Sequence, residues 1–120
     1  MPTTQEVAQD LVAMLKQGQF DESGEKYWAD DVVSLEPMEG DMARIQGKAG
    51  VRAKGEWWAA NHEVHDVLVE GPYVNGDQFV VRFKMDLTQK ASGERMKMDE
   101  VGVYTVKNGK IAEERFFYGE

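Results

Sequence analysis

The chain contains no cysteine. Disulfides and thiolate metal sites are therefore excluded. Histidine is nearly absent too. His62 and His65 stand three residues apart across a helix-to-strand junction, with no third ligand in pattern. That is a poor metal signal, and no metal or organic cofactor is expected. Basic residues are in the minority, 14 Lys and Arg against 22 Asp and Glu, for a net charge of −8. A nucleic-acid partner is argued against, because phosphate backbones are held largely by clustered Lys and Arg. Anionic membrane surfaces are disfavoured for the same reason. No apolar run approaches the ~20 residues that span a bilayer. The start, Met-Pro-Thr-Thr, lacks the charged-then-apolar order of a signal peptide, so a cytoplasmic location is expected. There is no glycine-rich phosphate loop and no nucleophile elbow. Repeats, low-complexity tracts and linkers are missing as well.

What is present suits one globular domain over residues 1–120, with 42% hydrophobic residues. Its centre is the run from Gln78 to Tyr118, which reads as three long strands. Phe79 to Leu87 alternates apolar and mostly polar side chains, the period of a strand with two different faces. Lys90-Ala91-Ser92-Gly93 and Lys107-Asn108-Gly109 are the turns between the three.

Upstream, Thr3-Thr4-Gln5-Glu6 is a capping box, and Val7, Leu11, Met14 and Leu15 follow at helical spacing. Gly18 ends that helix. A short helix over about 22–28 delivers Tyr27 and Trp28. Val32 to Glu36 is a short strand stopped by Pro37. Residues 38–46 read as a loop. Gly47 to Asn61 predicts a third helix, with Val51, Trp58 and His62 on one face and Trp57 turned away. Gly50 and Gly55 each weaken it by roughly 1 kcal/mol, offset by close approach to another backbone. Val64 to Tyr73 is a further strand, and Asn75-Gly76 turns it into the meander. The order α-α-β-α-β-β-β-β is α+β: a curved antiparallel sheet with helices on one face.

This order, together with Trp28-Ala29-Asp30-Asp31-Val32-Val33-Ser34-Leu35-Glu36-Pro37 and Val103-Tyr104-Thr105-Val106-Lys107-Asn108-Gly109-Lys110-Ile111, resembles the SnoaL-like branch of the nuclear transport factor 2-like superfamily. The resemblance implies a cone-shaped, cystatin-like α+β barrel with a deep apolar pocket, often dimeric through the outer face of the sheet. Ketosteroid isomerases, polyketide cyclases, epoxide hydrolases and dehydratases share that fold, so it does not specify the chemistry. Glu36, just before Pro37, takes the place of the isomerases' general base, and Trp28 that of the aromatic opening the motif. The isomerases' two oxyanion donors correspond to Leu11 and Gly102, which cannot donate. Lys84-Met85-Asp86 resembles the epoxide hydrolases' Arg-x-Asp pair with Lys for Arg. Their last-strand Asp corresponds to Phe116.

The resemblance assigns Met98, Glu100, Gly102, Tyr104, Ala112, Glu114, Phe116 and Tyr118 to the inside. A three-residue loop at Ala91-Ser92-Gly93 adds Val80, Arg82, Lys84 and Asp86, whereas a four-residue loop reverses that strand. The three-residue register leaves Phe79, Val81, Phe83, Met85, Val101, Val103 and Phe117 outside. Such an apolar face predicts a homodimer that buries it. The expected ligand-binding set is Trp28, Trp58, His62, Arg82, Lys84, Asp86, Met98, Glu100, Tyr104, Glu114, Phe116 and Tyr118. Two readings of its charges stay open. Arg82, Lys84, Glu100 and Glu114 form a satisfied structural network, or they hold a polar group of a substrate with one carboxyl at raised pKa. Glu36 is either a base facing an apolar cavity or a solvated strand-end carboxylate. The functional expectation is a hydrophobic small-molecule binder, an isomerase, cyclase or hydratase if catalytic. The alternative is a non-catalytic binding or dimerisation module whose pocket its own side chains fill.

Overall fold

The computed structural model describes residues 1–118. Three helices, α1 (Thr4–Lys16), α2 (Phe20–Tyr27) and α3 (Lys48–Asn61), interleave with six strands. The strands are β1 (Trp28–Leu35), β2 (Arg44–Gln46), β3 (His62–Asn75), β4 (Gln78–Gln89), β5 (Glu94–Lys107) and β6 (Lys110–Tyr118). Thr3 opens α1 through the expected capping box: the Glu6 amide donates to Thr3 Oγ1 and the Thr3 amide donates to Glu6 Oε1. The helix buries Val7, Ala8, Leu11, Val12 and Leu15. Its packing partners are α2, β3, β4 and β5.

The strands form one sheet in the order β2-β1-β6-β5-β4-β3. The architecture is the α+β cone that the resemblance implies, with three differences. The expected loop over 38–46 contains the short strand β2, antiparallel to β1. The sheet is also not wholly antiparallel, because β1 pairs with β6 in parallel. That pairing sets Ser34 beside Glu114.

The largest difference lies in the β4–β5 hairpin. Gln89 pairs with Glu94, so four residues form the loop. The Gly93 amide donates to the Gln89 carbonyl at 2.8 Å, and the Ser92 hydroxyl accepts from the Glu94 amide. Gly93 sits at φ +71°, a conformation few other residues adopt at no cost. The extra residue reverses β4 against the three-residue register. Phe79, Val81, Phe83, Met85 and Leu87 point into the core. Arg82, Lys84 and Asp86 point out, opposite Val101, Asp99 and Lys97. The energetics favour this parity. Burying a large apolar side chain contributes about 1.5–3 kcal/mol, whereas three charges would each have to shed water.

On the outer face Arg82 forms a two-pronged pair with Asp99, at 2.9 and 2.6 Å. Arg95 does the same with Asp86, at 3.0 and 2.8 Å. Lys84 lies 4.0 Å from Glu70. The subunit contact predicted through Phe79, Val81, Phe83 and Met85 is therefore overturned, since all four are sealed inside the chain. Only Val101, Val103 and Phe117 of that set remain outside, ringed by the ion pairs. Among the described residues no helix is long and apolar enough to cross a membrane.

Candidate active site

Between the helices and the concave face of the sheet lies a cavity of about 800 Å³. Exposed Phe20, Met38 and Trp57 stand at its mouth. Its walls are mostly apolar and aromatic, with Leu11, Leu15, Val51 and Trp58 from the helices and Phe83, Met85, Met98 and Phe116 from the sheet. Two glycines keep it open. No atom lies within 4 Å of a Cβ built at Gly55, so this glycine is a gap in the wall and not the close helix contact expected. The close contact belongs to Gly50, whose added Cβ would meet Ile45 at 2.9 Å. Gly24 leaves room for the Trp28 ring, which a Cβ there would strike at 2.6 Å.

The polar groups converge from four elements. Glu36 follows β1, Lys54 lies on α3, Glu100 on β5 and Glu114 on β6. Trp28 Nε1 donates to Glu114 Oε1 at 2.7 Å. The Lys54 ammonium donates to Ser34 Oγ and to Glu36 Oε1, the latter at 3.0 Å. It also lies 5.4 Å from the centre of the Phe116 ring, in reach of a cation–π attraction. The Lys54 and Glu36 side chains are only 12% and 17% exposed, so this ion pair is nearly buried.

Three carboxyl groups thus face one ammonium, and of these only Glu36 bonds it directly. Burial pushes the Glu114 carboxyl up to about 7; Lys54 and the indole N–H pull against it. Burial also raises Glu100 to about 7, and Glu36 adds to the rise. No side-chain hydrogen bond among the described residues involves Glu100, so its carboxyl faces open cavity. Tyr104 is 6% exposed and stacks on Phe79, with ring centres 4.9 Å apart. Its hydroxyl has no protein partner among the described residues, and burial holds its pKa well above the usual phenol range. Tyr118 is pushed up to about 12, first by burial and then by Glu36. Its hydroxyl reaches Met38 Sδ at 3.8 Å.

Of the residues predicted from sequence, Trp28, Glu36, Trp58, His62, Met98, Glu100, Tyr104, Glu114, Phe116 and Tyr118 all line this space. Arg82, Lys84 and Asp86 do not. They lie across the sheet for the parity reason given above, and the proposed inner network with Glu100 and Glu114 is split in two. Trp58, Met98 and Phe116 form walls and leave the cavity open, contrary to a pocket filled by its own side chains. His62 stacks on Trp58 at 4.5 Å and bonds its carbonyl. His65 bonds Thr88 instead. Sequence reasoning missed Lys54 and Ser34. Lys54 was within reach: Val51, Lys54, Gly55, Trp58 and His62 repeat at steps of three and four, one face of α3.

Leu11 lines the cavity, and Gly102 lies under the Tyr104 and Phe116 rings, at 3.0 and 3.2 Å from an added Cβ. The Tyr104 hydroxyl is 3.2 Å from that same point. Tyr104 therefore brings a donor to the region where residue 102 has none.

The model of the SnoaL-like domain family matches residues 2–118. Among solved structures, a Mesorhizobium loti protein provisionally described as a SnoaL-like polyketide cyclase, with carbohydrate phosphatase given alongside, is 61% identical, with a TM-score of 0.95. The match covers 98% of this chain and 100% of that one. A Bacillus subtilis protein provisionally described as an isomerase is 17% identical over 98% of this chain and 90% of its own, at TM-score 0.79. A Pseudomonas putida protein provisionally described as a polyketide cyclase is 19% identical over 99% and 93%, at TM-score 0.72. The last two share the fold alone. No curated protein matches this chain.

Proposed function

The chain belongs to the family of SnoaL-like domains, and from that premise we propose that its cavity binds a small, largely apolar or aromatic molecule and moves a proton on it. Isomerisation, cyclisation and hydration are the reaction types this chemistry serves. The observation that carries the reading is Glu100: a carboxyl with no hydrogen-bond partner among the described residues, facing an apolar cavity, with its pKa raised to about 7. A group that titrates near working pH can both take and return a proton. We assign the shuttle to Glu100. Glu36, the base implied by the resemblance, is tied to Lys54 and serves to position that ammonium. Lys54 supplies positive charge where an enolate or alkoxide oxygen would develop, and the Tyr104 hydroxyl adds a hydrogen bond. Arg82 and Lys84 have no part in it.

The test is exchange of α-hydrogens with solvent deuterium in apolar ketones such as 2-tetralone and 1-indanone, followed by NMR. Exchange above the buffer rate is expected, falling on the order of a hundredfold in Glu100→Gln. A variant as fast as wild type removes Glu100 from the mechanism. Ketones that bind but do not exchange would leave a binding module without turnover, the second reading.

A further inference from the structure

The charges lining the cavity are lopsided in a way that proton transfer does not require. Asp21 and Glu22 on α2 stand at its wall near the mouth, and Glu36, Glu100 and Glu114 lie deeper. Against these five acids stand one ammonium, Lys54, and one imidazole, His62. Lys54 is already engaged by Glu36 and Ser34. His62 is engaged by the Trp58 carbonyl. Glu100 and the hydroxyl of Tyr104 have no protein partner among the described residues, and Tyr104 is 6% exposed. A hydroxyl that opens onto the cavity from an otherwise buried side chain, left free among the described residues beside carboxyl groups without a cationic partner, is a place prepared for a group from outside. The aromatic rings around it add the π faces that attract organic cations.

We infer that the ligand of this cavity carries a protonated amine on an apolar or aromatic body, with the ammonium lodged among Glu100, Glu114 and Tyr104. This rests only on the reading that the cavity binds a small apolar or aromatic molecule and narrows it to a chemical class, and it gives Glu100 to the ammonium in place of the proton shuttle. The net charge of −8 would draw such a cation toward the protein.

A consequence in pH follows from the groups facing the ammonium. In the empty cavity burial keeps Glu100 and Glu114 largely protonated below about pH 7. A bound cation favours their ionised forms, so binding expels protons. Affinity therefore rises with pH across that range and levels once both groups are ionised. Tyr104 and Tyr118 stay protonated throughout, since both are shifted upward.

Isothermal titration of the whole chain with three probes decides the matter: 2-(1-naphthyl)ethylamine, 2-(1-naphthyl)ethanol and 1-naphthylacetate. At about pH 8 the amine is expected to bind on the order of tenfold tighter than the alcohol, with the acetate weakest. At about pH 6.5 the heat of amine binding should differ between buffers of different ionisation enthalpy, while that of the alcohol should not. Glu100→Gln should remove most of the preference for the amine. An alcohol that binds as tightly as the amine overturns the cation and leaves the cavity reading intact. If none of the three binds, both readings fall. A preference that survives unchanged in Glu100→Gln also overturns the inference. That variant loses no side-chain hydrogen bond among the described residues, so its folding can be checked by its unfolding transition.

Discussion

Replacing Glu100 with Gln should make the protein more stable, by an amount that grows as the pH rises from about 4.5 and is complete above about pH 7. The ordinary value for this carboxyl is 4.5, and the folded protein raises it to about 7. Raising the pH from 4.5 therefore ionises the unfolded chain first, and unfolding is favoured progressively until about pH 7. Above that the penalty is complete and constant; below 4.5 it is absent. Each tenfold in proton affinity is worth about 1.4 kcal/mol, so burying this charge costs the folded state about 3 kcal/mol above pH 7. Gln has nearly the same shape and cannot ionise. Glu100 makes no side-chain hydrogen bond among the described residues, so the amide leaves no protein partner stranded. Access of cavity water to the carboxyl trims the expected gain to about 1–3 kcal/mol. Urea unfolding followed by tryptophan fluorescence at about pH 5 and about pH 8 measures it. The two proteins should nearly coincide at the lower pH and separate at the higher. A variant no more stable than wild type at about pH 8, or displaced equally at both, would show that Glu100 carries no buried charge. A residue that weakens its own fold in this way is retained for something other than stability, consistent with a functional site.

Lys54→Met should have the opposite sign. It strands Glu36 in a nearly buried setting, and removal of one partner of a buried pair costs about 3–5 kcal/mol, trimmed here to about 2–4 by the remaining exposure. Urea midpoints at about pH 8 would show the loss. Gly55→Ala should stabilise α3 by about 0.5–1 kcal/mol, since helix propensity rises and the methyl meets nothing within 4 Å; thermal melting checks this. Gly102→Ala should lose about 1–3 kcal/mol by overpacking Tyr104 and Phe116, and should weaken naphthyl-probe binding in the same titrations. Arg82→Ala should leave both stability and probe binding almost unchanged, because its pair with Asp99 is exposed on the far side of the sheet.

The helices, turns and long strands were readable because each depends on neighbours in sequence. The capping box at Thr3, the stripe on α1 and the Asn108-Gly109 turn, where both residues take positive φ, are of this kind. Parity of β4 was not, because one residue in the Lys90–Gly93 loop decides it, and Ser92 and Gly93 set that count through local bonds. The more apolar of the two alternating sets, Phe79 to Leu87, did point the right way. Weighed alone it would have placed Arg82, Lys84 and Asp86 outside. β2 was too short to leave a pattern, and the parallel β1–β6 pairing joins segments with no local relation. Lys54 shares a face of α3 with Val51 and Trp58, but a lysine on a helix ordinarily turns its charge to solvent, so its type gave no sign of a buried role.

The pairing of β1 with β6 has a consequence for biosynthesis. Trp28 and Glu114 lie 86 residues apart in the chain yet share a hydrogen bond. While a ribosome is still making the last strand, the acid that closes one wall has not been added. Contacts so distant are slow to form. The complete cavity therefore exists only once β6 has paired with β1.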